Sequence, residues 1–158
     1  GSRIAIMKDG KIVQYSKPEE IVLNPADDYV RTFVAHTNPL NVLCGRSLMR
    51  TLDNCKRING SVCIDPGDDS WIDLAEGNTI KGVRQGASVV DLQHWKTGQA
   101  VEGLGRGPTL VDSGIGMRDA LQIRYQTGNK LVLHDNHKVV GILGDTELYH
   151  ALLGKNLG

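Results

Sequence analysis

Aromatic residues are scarce in this chain: Tyr15, Tyr29, Phe33, Trp71, Trp95, Tyr125 and Tyr149 are all there are, 4% of 158 residues. A surface that stacks bases needs more, and in one place, so a single-strand nucleic-acid platform is excluded. Cysteine is equally sparse. Cys44, Cys55 and Cys63 form no Cys-x-x-Cys pair, which excludes a zinc knuckle and a disulfide framework and leaves buried or idle cytosolic thiols. Net charge is absent as well. Eighteen Lys/Arg balance eighteen Asp/Glu, which argues against a general nucleic-acid binder. No apolar run approaches the roughly 18 residues of a membrane span, and the start of the chain lacks the charged and apolar regions expected of a signal peptide. With 40% hydrophobic residues, disorder is not expected either.

Glycine is what the chain has in excess: 19 residues, nine of them between positions 60 and 107. The zero net charge is an average too. Residues 1–60 carry nine basic and six acidic side chains, and residues 61–158 carry nine and twelve, a shift that accompanies a boundary.

Local signals divide the chain. Residues 3–16 place apolar runs on both sides of Asp9-Gly10, a hairpin signal because Asp-Gly tolerates the positive φ angles of a type I′ turn. Ser16-Lys-Pro-Glu19 reads as a capping box opening a short helix, and Asn24-Pro25 closes it and caps the next one. Ala26, Tyr29, Val30, Phe33 and Val34 then make an apolar stripe over 25–35. Leu43 to Leu52 reads as a further helix. Short runs at Ser61–Ile64, Ser70–Leu74, Thr79–Val83 and Ser88–Leu92 read as strands joined by turns at Pro66-Gly67, Glu76-Gly77 and Gln85-Gly86. From residue 108 the order is strand, helix over 116–127 (Met117, Ala120, Leu121 and Tyr125 inward, Gly128 as C-cap), strand, turn at Asp135-Asn136-His137, strand, and a last helix from Asp145 with Leu148, Tyr149 and Leu152 apolar.

These residues carry two resemblances. The segment 108–158, with Gly141-Ile-Leu-Gly144-Asp145-Thr146-Glu147-Leu148 as its most specific element, resembles a CBS motif, whose elements run strand–helix–strand–strand–helix. Arg3-Ile-Ala-Ile-Met-Lys-Asp-Gly-Lys-Ile-Val-Gln resembles the last hairpin of an ABC-transporter ATPase, and residues 18–34 are similar to the segment after that hairpin in glycine betaine/choline importers. The resemblance implies an α+β chain in three parts: an ATPase remnant and linker helix over 1–39, a degenerate first CBS motif over 40–107, and a regular second one over 108–158. It implies a regulatory module that biases a quaternary-amine importer ATPase in response to ionic strength or an adenine nucleotide, at the cytoplasmic face of the membrane. The partners implied are a second copy of the chain, the ATPase domain of the same subunit, the membrane permease and an anionic lipid surface, with no nucleic acid. A module that only dimerises, without a small ligand, is the competing expectation; the helical stripes at 117–125 and 148–152 serve it.

The chain contains no Gly-x-x-x-x-Gly-Lys-Ser/Thr loop, so it has nothing to cradle phosphates for hydrolysis, and no catalytic residue is expected. No cofactor is required. AMP, ATP or cyclic di-AMP is the ligand class that the resemblance implies. By position, Glu147 matches the family's ribose-binding aspartate, Val132 and Leu133 offer backbone groups to the adenine, and Val111, Asp112 and Ser113 lie on the matching strand, with Gly141, Gly144 and Asp145 completing the candidate site. The family's Ser/Thr is Gly144 here. A solvated first-turn residue favoured by the helix dipole is the alternative for Glu147.

Other patterns carry less. Gly103-Leu-Gly105-Arg-Gly107 neither follows a strand nor opens a helix, so a connector is expected and not a dinucleotide loop. His134, His137 and Asp135 read as a hairpin tip and not a metal site. Asp65, Asp68, Asp69 and Asp73 lack the glycine and closing glutamate of a calcium loop. The C-terminal Gly154–Gly158 carries no acidic tail.

Overall fold

The computed structural model describes residues 2–153; Gly1 and the C-terminal 154–158, including the tail without acidic residues, lie outside the described residues. The chain begins with an antiparallel ribbon, β1 (Ile4–Lys8) and β2 (Lys11–Ser16), closed by Asp9 and Gly10 at φ 52° and 76°. Both central residues are left-handed, as a type I′ turn requires. Two short helices come next, α1 (Pro18–Leu23) and α2 (Asp28–Val34). Ile6, Ile21 and Val30 bury together between ribbon and helices. The capping box expected at Ser16 does not form. Ser16 ends β2, Lys17 is the N-cap without a side-chain bond, and Glu19 reaches elsewhere. Proline at the first helical position starts α1 without that help, because its missing N–H is unpaired there anyway. In α2, Asp27 caps through Val30 N (2.9 Å), and Phe33 faces solvent.

The helix expected over Leu43–Leu52 stops early. It is one turn, α3 (Gly45–Leu48), after which Met49 is extended and β3 (Arg50–Thr51) joins a sheet. The pull is tertiary: β3 pairs with Gly141 and Ile142, so strand pairing replaces further helical hydrogen bonds. The glycine-rich stretch then folds into a five-stranded antiparallel meander, β4 (Arg57–Ile58), β5 (Ser61–Asp65), β6 (Ser70–Leu74), β7 (Ile80–Gln85) and β8 (Ser88–Val90), in chain order. Strand positions and turns agree with the sequence reading to within a few residues. Over Arg57–Val90 the elements are antiparallel strands with one single-turn 3-10 helix.

The rest is built from β9 (Gln93–His94), β10 (Thr109–Asp112), α4 (Met117–Thr127), β11 (Leu131–Asp135), β12 (Lys138–Leu143) and α5 (Asp145–Leu152). Its sheet runs β3-β12-β11-β10-β9, with β9, β10 and β11 parallel and the β11–β12 hairpin turned by Asn136 and His137 at φ 48° and 67°. Gly128 closes α4 in the left-handed region at φ 67°. Alternation splits β11 between two cores. Leu131 and Leu133 pack with Val111, Met117, Ala120, Ile123, Leu143 and Leu148 under the helices. Val132 packs with Leu110, Ile142 and the meander's Val62, Ile64, Ile72 and Val83. The sheet is thus the middle of three layers: helices, mixed sheet, meander. Tyr125, expected inward, is 91% exposed; Ile123 takes the buried position of α4, because a residue two places on lies across the helix.

Candidate functional site

Among the described residues, the charged one most completely withdrawn from water is Glu147, 7% exposed. It is the third residue of α5. Its Oε2 accepts a hydrogen bond from Gly144 N at 3.0 Å, which is the glutamate half of a capping box. Its Oε1 lies 3.2 Å from Arg50 Nε. A buried carboxylate survives only if paired and hydrogen-bonded, and here both oxygens are. The solvated reading of Glu147 is therefore corrected: burial and two partners hold it.

Backbone approach brings the pair together. A β carbon on Gly141 would lie 2.7 Å from Arg50 O and 2.6 Å from Met49 Sδ, so only glycine lets β3 dock on β12. Gly144 gives room of another kind. The Lys130 stem lies across it, with Cε 2.9 Å from where a β carbon would be, and Lys130 Nζ faces Asp65 Oδ1 at 3.9 Å.

The Arg50–Glu147 pair stands between two openings. On the side of the meander is a cavity of about 100 Å³ lined also by Cys55, Lys56, Cys63, Ile64, Pro66, Lys130 and Ile142. On the side of α3 is an open cleft of about 470 Å³, lined by Leu48, Met49, Asn54, Thr146 and His150 together with the pair. The larger falls within the roughly 300–1,000 Å³ of ligand pockets; the smaller does not.

The nine residues expected to form one site separate into four places. Glu147, Gly144 and Gly141 lie at the Arg50–Glu147 pair. Asp145 is bound to Arg124 (2.7 Å), tying α5 to α4. Val111, Val132 and Leu133 are fully buried in the two cores. The backbones of Val132 and Leu133 lie between β10 and β12, with ladder partners on both sides. Asp112 and Ser113 stand at the end of β10. Ser113 Oγ accepts from Arg46 Nε (3.2 Å) and Nη2 (3.0 Å) and donates to Asp135, while Asp112 Oδ1 accepts from Gly114 N (2.8 Å).

Other singled-out residues have local partners. Asp65 turns back to Gly67 N, Asp69 accepts from Trp71 Nε1 (2.7 Å), and Asp73 takes Ser61 and Arg84, so the four aspartates do not converge. Arg84 and the Ser61 hydroxyl hold the Asp73 carboxyl below its ordinary pKa, the hydroxyl contributing most. His134 stacks on His137 with centroids 5.7 Å apart, and burial pushes its pKa down against the pull of Asp112. No group of three or more metal-ligating side chains occurs among the described residues. The loop at Gly103–Gly107 is clamped by Gln93, whose Oε1 accepts from Gly105 N (2.7 Å) and whose Nε2 donates to Gly105 O (2.9 Å). Burial raises the pKa of all three cysteines. Gln93 and Lys130 carry no motif and nothing in the sequence marks them, while Arg46, Arg50 and Lys56 stand out there only as early basic residues suited to an anionic surface.

No family model and no solved structure matches the chain. Curated relatives do. The carnitine transport ATP-binding protein OpuCA of Listeria monocytogenes is 27% identical over 163 residues, covering 89% of this chain and 38% of that protein. The glycine betaine/proline betaine transport ATP-binding protein ProV of Escherichia coli is 44% identical over 54 residues, 34% of this chain and 14% of that protein. The glycine betaine transport ATP-binding protein OpuAA of Bacillus subtilis is 41% identical over 56 residues, 35% and 13%. The chain spans less than two fifths of the length of these relatives. Its homologues are ATP-binding subunits of glycine betaine and carnitine ABC transporters, matched over part of their length.

Proposed function

We propose that the chain is the regulatory C-terminal part of the ATP-binding subunit of a quaternary-amine ABC importer, and that residues 108–153 work there as a CBS-type unit. The similarity to the carnitine transport protein over 89% of the chain carries the first half of this reading. The sequence has no phosphate-cradling loop, which supports a reading in which hydrolysis is performed elsewhere in the subunit. The β1–β2 ribbon fits that division. Two strands alone are marginal in water, and Ile4, Met7, Ile12 and Tyr15 are all at least 43% exposed, as expected of a sheet edge that the rest of an ATPase domain covers. The parent then sits at the cytoplasmic face of the membrane through its permease partner, and ionic strength near anionic lipid, screened within about 8–10 Å, is one input.

An adenine nucleotide is the other input, placed in the cleft beside Arg50 and Glu147. For Glu147 to accept the ribose diol, Arg50 has to release it and turn to the phosphates. Calorimetry and thermal shift with AMP, ADP, ATP and cyclic di-AMP test this: a ligand that binds the native state raises its melting temperature. Glu147→Gln is expected to abolish the shift. No stabilisation at millimolar nucleotide overturns the nucleotide reading.

A specific observation favours the second reading, a ligand-free dimerisation module. Tyr125 (91%), Tyr149 (56%), Leu152 (46%) and Leu153 (67%) leave apolar surface on α4 and at the end of α5. Sedimentation of the wild type against Tyr125→Asp decides it, with a dimer lost in the variant as the expected result.

A further inference from the structure

The small cavity between the mixed sheet and the meander collects three cations from two distant parts of the chain: Arg50 on β3 and Lys56 just before β4, and Lys130 just before β11. Two carboxylates answer them incompletely. Glu147 takes Arg50, but its other oxygen is committed to Gly144 N. Asp65 stands 3.9 Å from Lys130, beyond hydrogen-bond length, with both side chains mostly withdrawn from water (30% and 26% exposed). The Lys56 ammonium lies over the Trp71 ring, 5.8 Å from its centre. A third carboxylate, Asp69, also acts on Cys63 of the wall but accepts from Trp71 Nε1, so three cations face three carboxylates beside an apolar back wall of Ile64, Pro66 and Ile142. Lys130 is mostly withdrawn from water, while Arg50 and Lys56 stand at the exposed rim, and an anion between them accepts charge-assisted hydrogen bonds from all three.

Volume sets what that anion is. About 100 Å³ is well under the roughly 300–1,000 Å³ of ligand pockets, a size that suits one tetrahedral oxyanion better than a nucleoside. Placement is built in as well. Lys130 reaches the cavity because its stem crosses Gly144, where any side chain would displace it.

We propose that this cavity binds a small tetrahedral dianion, a phosphate group free or as a monoester, held by Lys56, Lys130 and the outer nitrogens of Arg50. The two readings share Arg50: its outer nitrogens serve this cavity while the neighbouring cleft holds no nucleotide, and Lys56 and Lys130 line the cavity in either case. The site also gives the departure at Gly144 a purpose: glycine there trades a side chain for an ordered lysine.

The test is a titration of the whole chain with inorganic phosphate at ionic strength held constant with sodium chloride, followed by amide NMR. Saturable shifts are expected at Lys56, Cys63, Lys130 and Gly144, with sulfate competing. Lys56→Gln/Lys130→Gln is expected to bind at least about tenfold more weakly, as loss of charged hydrogen bonds implies, while Lys130→Arg retains binding. Glycerol phosphate that binds as tightly as phosphate assigns the site to an ester; weaker binding assigns it to the free ion. Shifts that chloride reproduces, or that cluster at Lys8 and Lys11, overturn the proposal. If the double variant fails to fold, the wild-type competition between phosphate, sulfate and chloride decides alone. Phosphate binding without any nucleotide-induced stabilisation leaves this site standing and the nucleotide reading overturned.

Discussion

Two ion pairs of this chain show how much burial changes an interaction. Arg31 and Asp28 approach to 2.6 Å on α2, with side chains 66% and 96% exposed. Arg50 and Glu147 are farther apart at 3.2 Å, but the glutamate is 9% exposed. Water screens the first, and such pairs contribute about 0.3–0.5 kcal/mol. Removing Arg50 strands a carboxylate that cannot rehydrate, a mechanism that costs about 3–5 kcal/mol when both partners are buried. Arg50 is half exposed, so about 2 kcal/mol is expected for Arg50→Ala. Asp28→Ala is expected to change the urea midpoint hardly at all, and equal effects would contradict the burial argument. A second residue-scale prediction concerns pH. Burial lowers the His134 pKa in the folded chain, and His94 and His137 add repulsion against the attraction of Asp112 and Asp135. The unfolded chain then takes up the proton first, near the ordinary value of about 6.5. Stability from His134 is complete above that value and declines as pH falls through it. His134→Gln is expected to flatten the stability profile between about pH 6.5 and 5, measured by urea unfolding.

At the scale of elements, the segment from α3 to β3 shows local preference yielding to docking. Leu43–Leu52 has helical spacing, yet the helix ends at Leu48 because Arg50 and Thr51 find strand partners on β12. Gly141 permits that pairing. Gly141→Ala forces a β carbon against Arg50 O and Met49, and overpacking of this kind costs about 1–3 kcal/mol. Thermal unfolding is expected to show that loss, whereas Gly82→Ala is expected to cost less, since nothing lies within 4 Å of its β carbon. The Asp9-Gly10 hairpin, the Gly128 cap and the strands β5 to β8 of the meander were legible in advance, because each depends on residues within one turn or one alternating run, while β4 carried no such signal. The Ser16 capping box was not formed, since Glu19 spends its carboxylate on Ser47 and Cys44 of the α3 region. No local rule anticipates that contact.

For the whole molecule, the mixed sheet is the element on which everything rests, being buried on both faces. Leu133→Ala is expected to cost about 2–5 kcal/mol, by urea unfolding, and Tyr125→Ala about 0.5 kcal/mol or less in the monomer. The same burial withholds the thiols. With pKa values raised in the fold, Cys44, Cys55 and Cys63 are expected to react with an aromatic disulfide reagent much faster in urea than in the native state, since the thiolate is the nucleophile.

Contiguous residues were enough to specify the turns, the strands β5 to β8, the order of elements from residue 109 to 152 and the kinship with transport ATP-binding proteins, because each of these is written in an unbroken run. They were also enough to show that this chain holds no phosphate-cradling loop. Folding in three dimensions settled the rest. It set the meander against the mixed sheet, scattered nine candidate residues over four places, and joined Arg50 to Glu147 and Lys56 to Lys130 around one cavity. Charged partners that far apart along the chain leave no periodic trace. Only the close approach at two glycines, and the exclusion of water around one glutamate, brings them together.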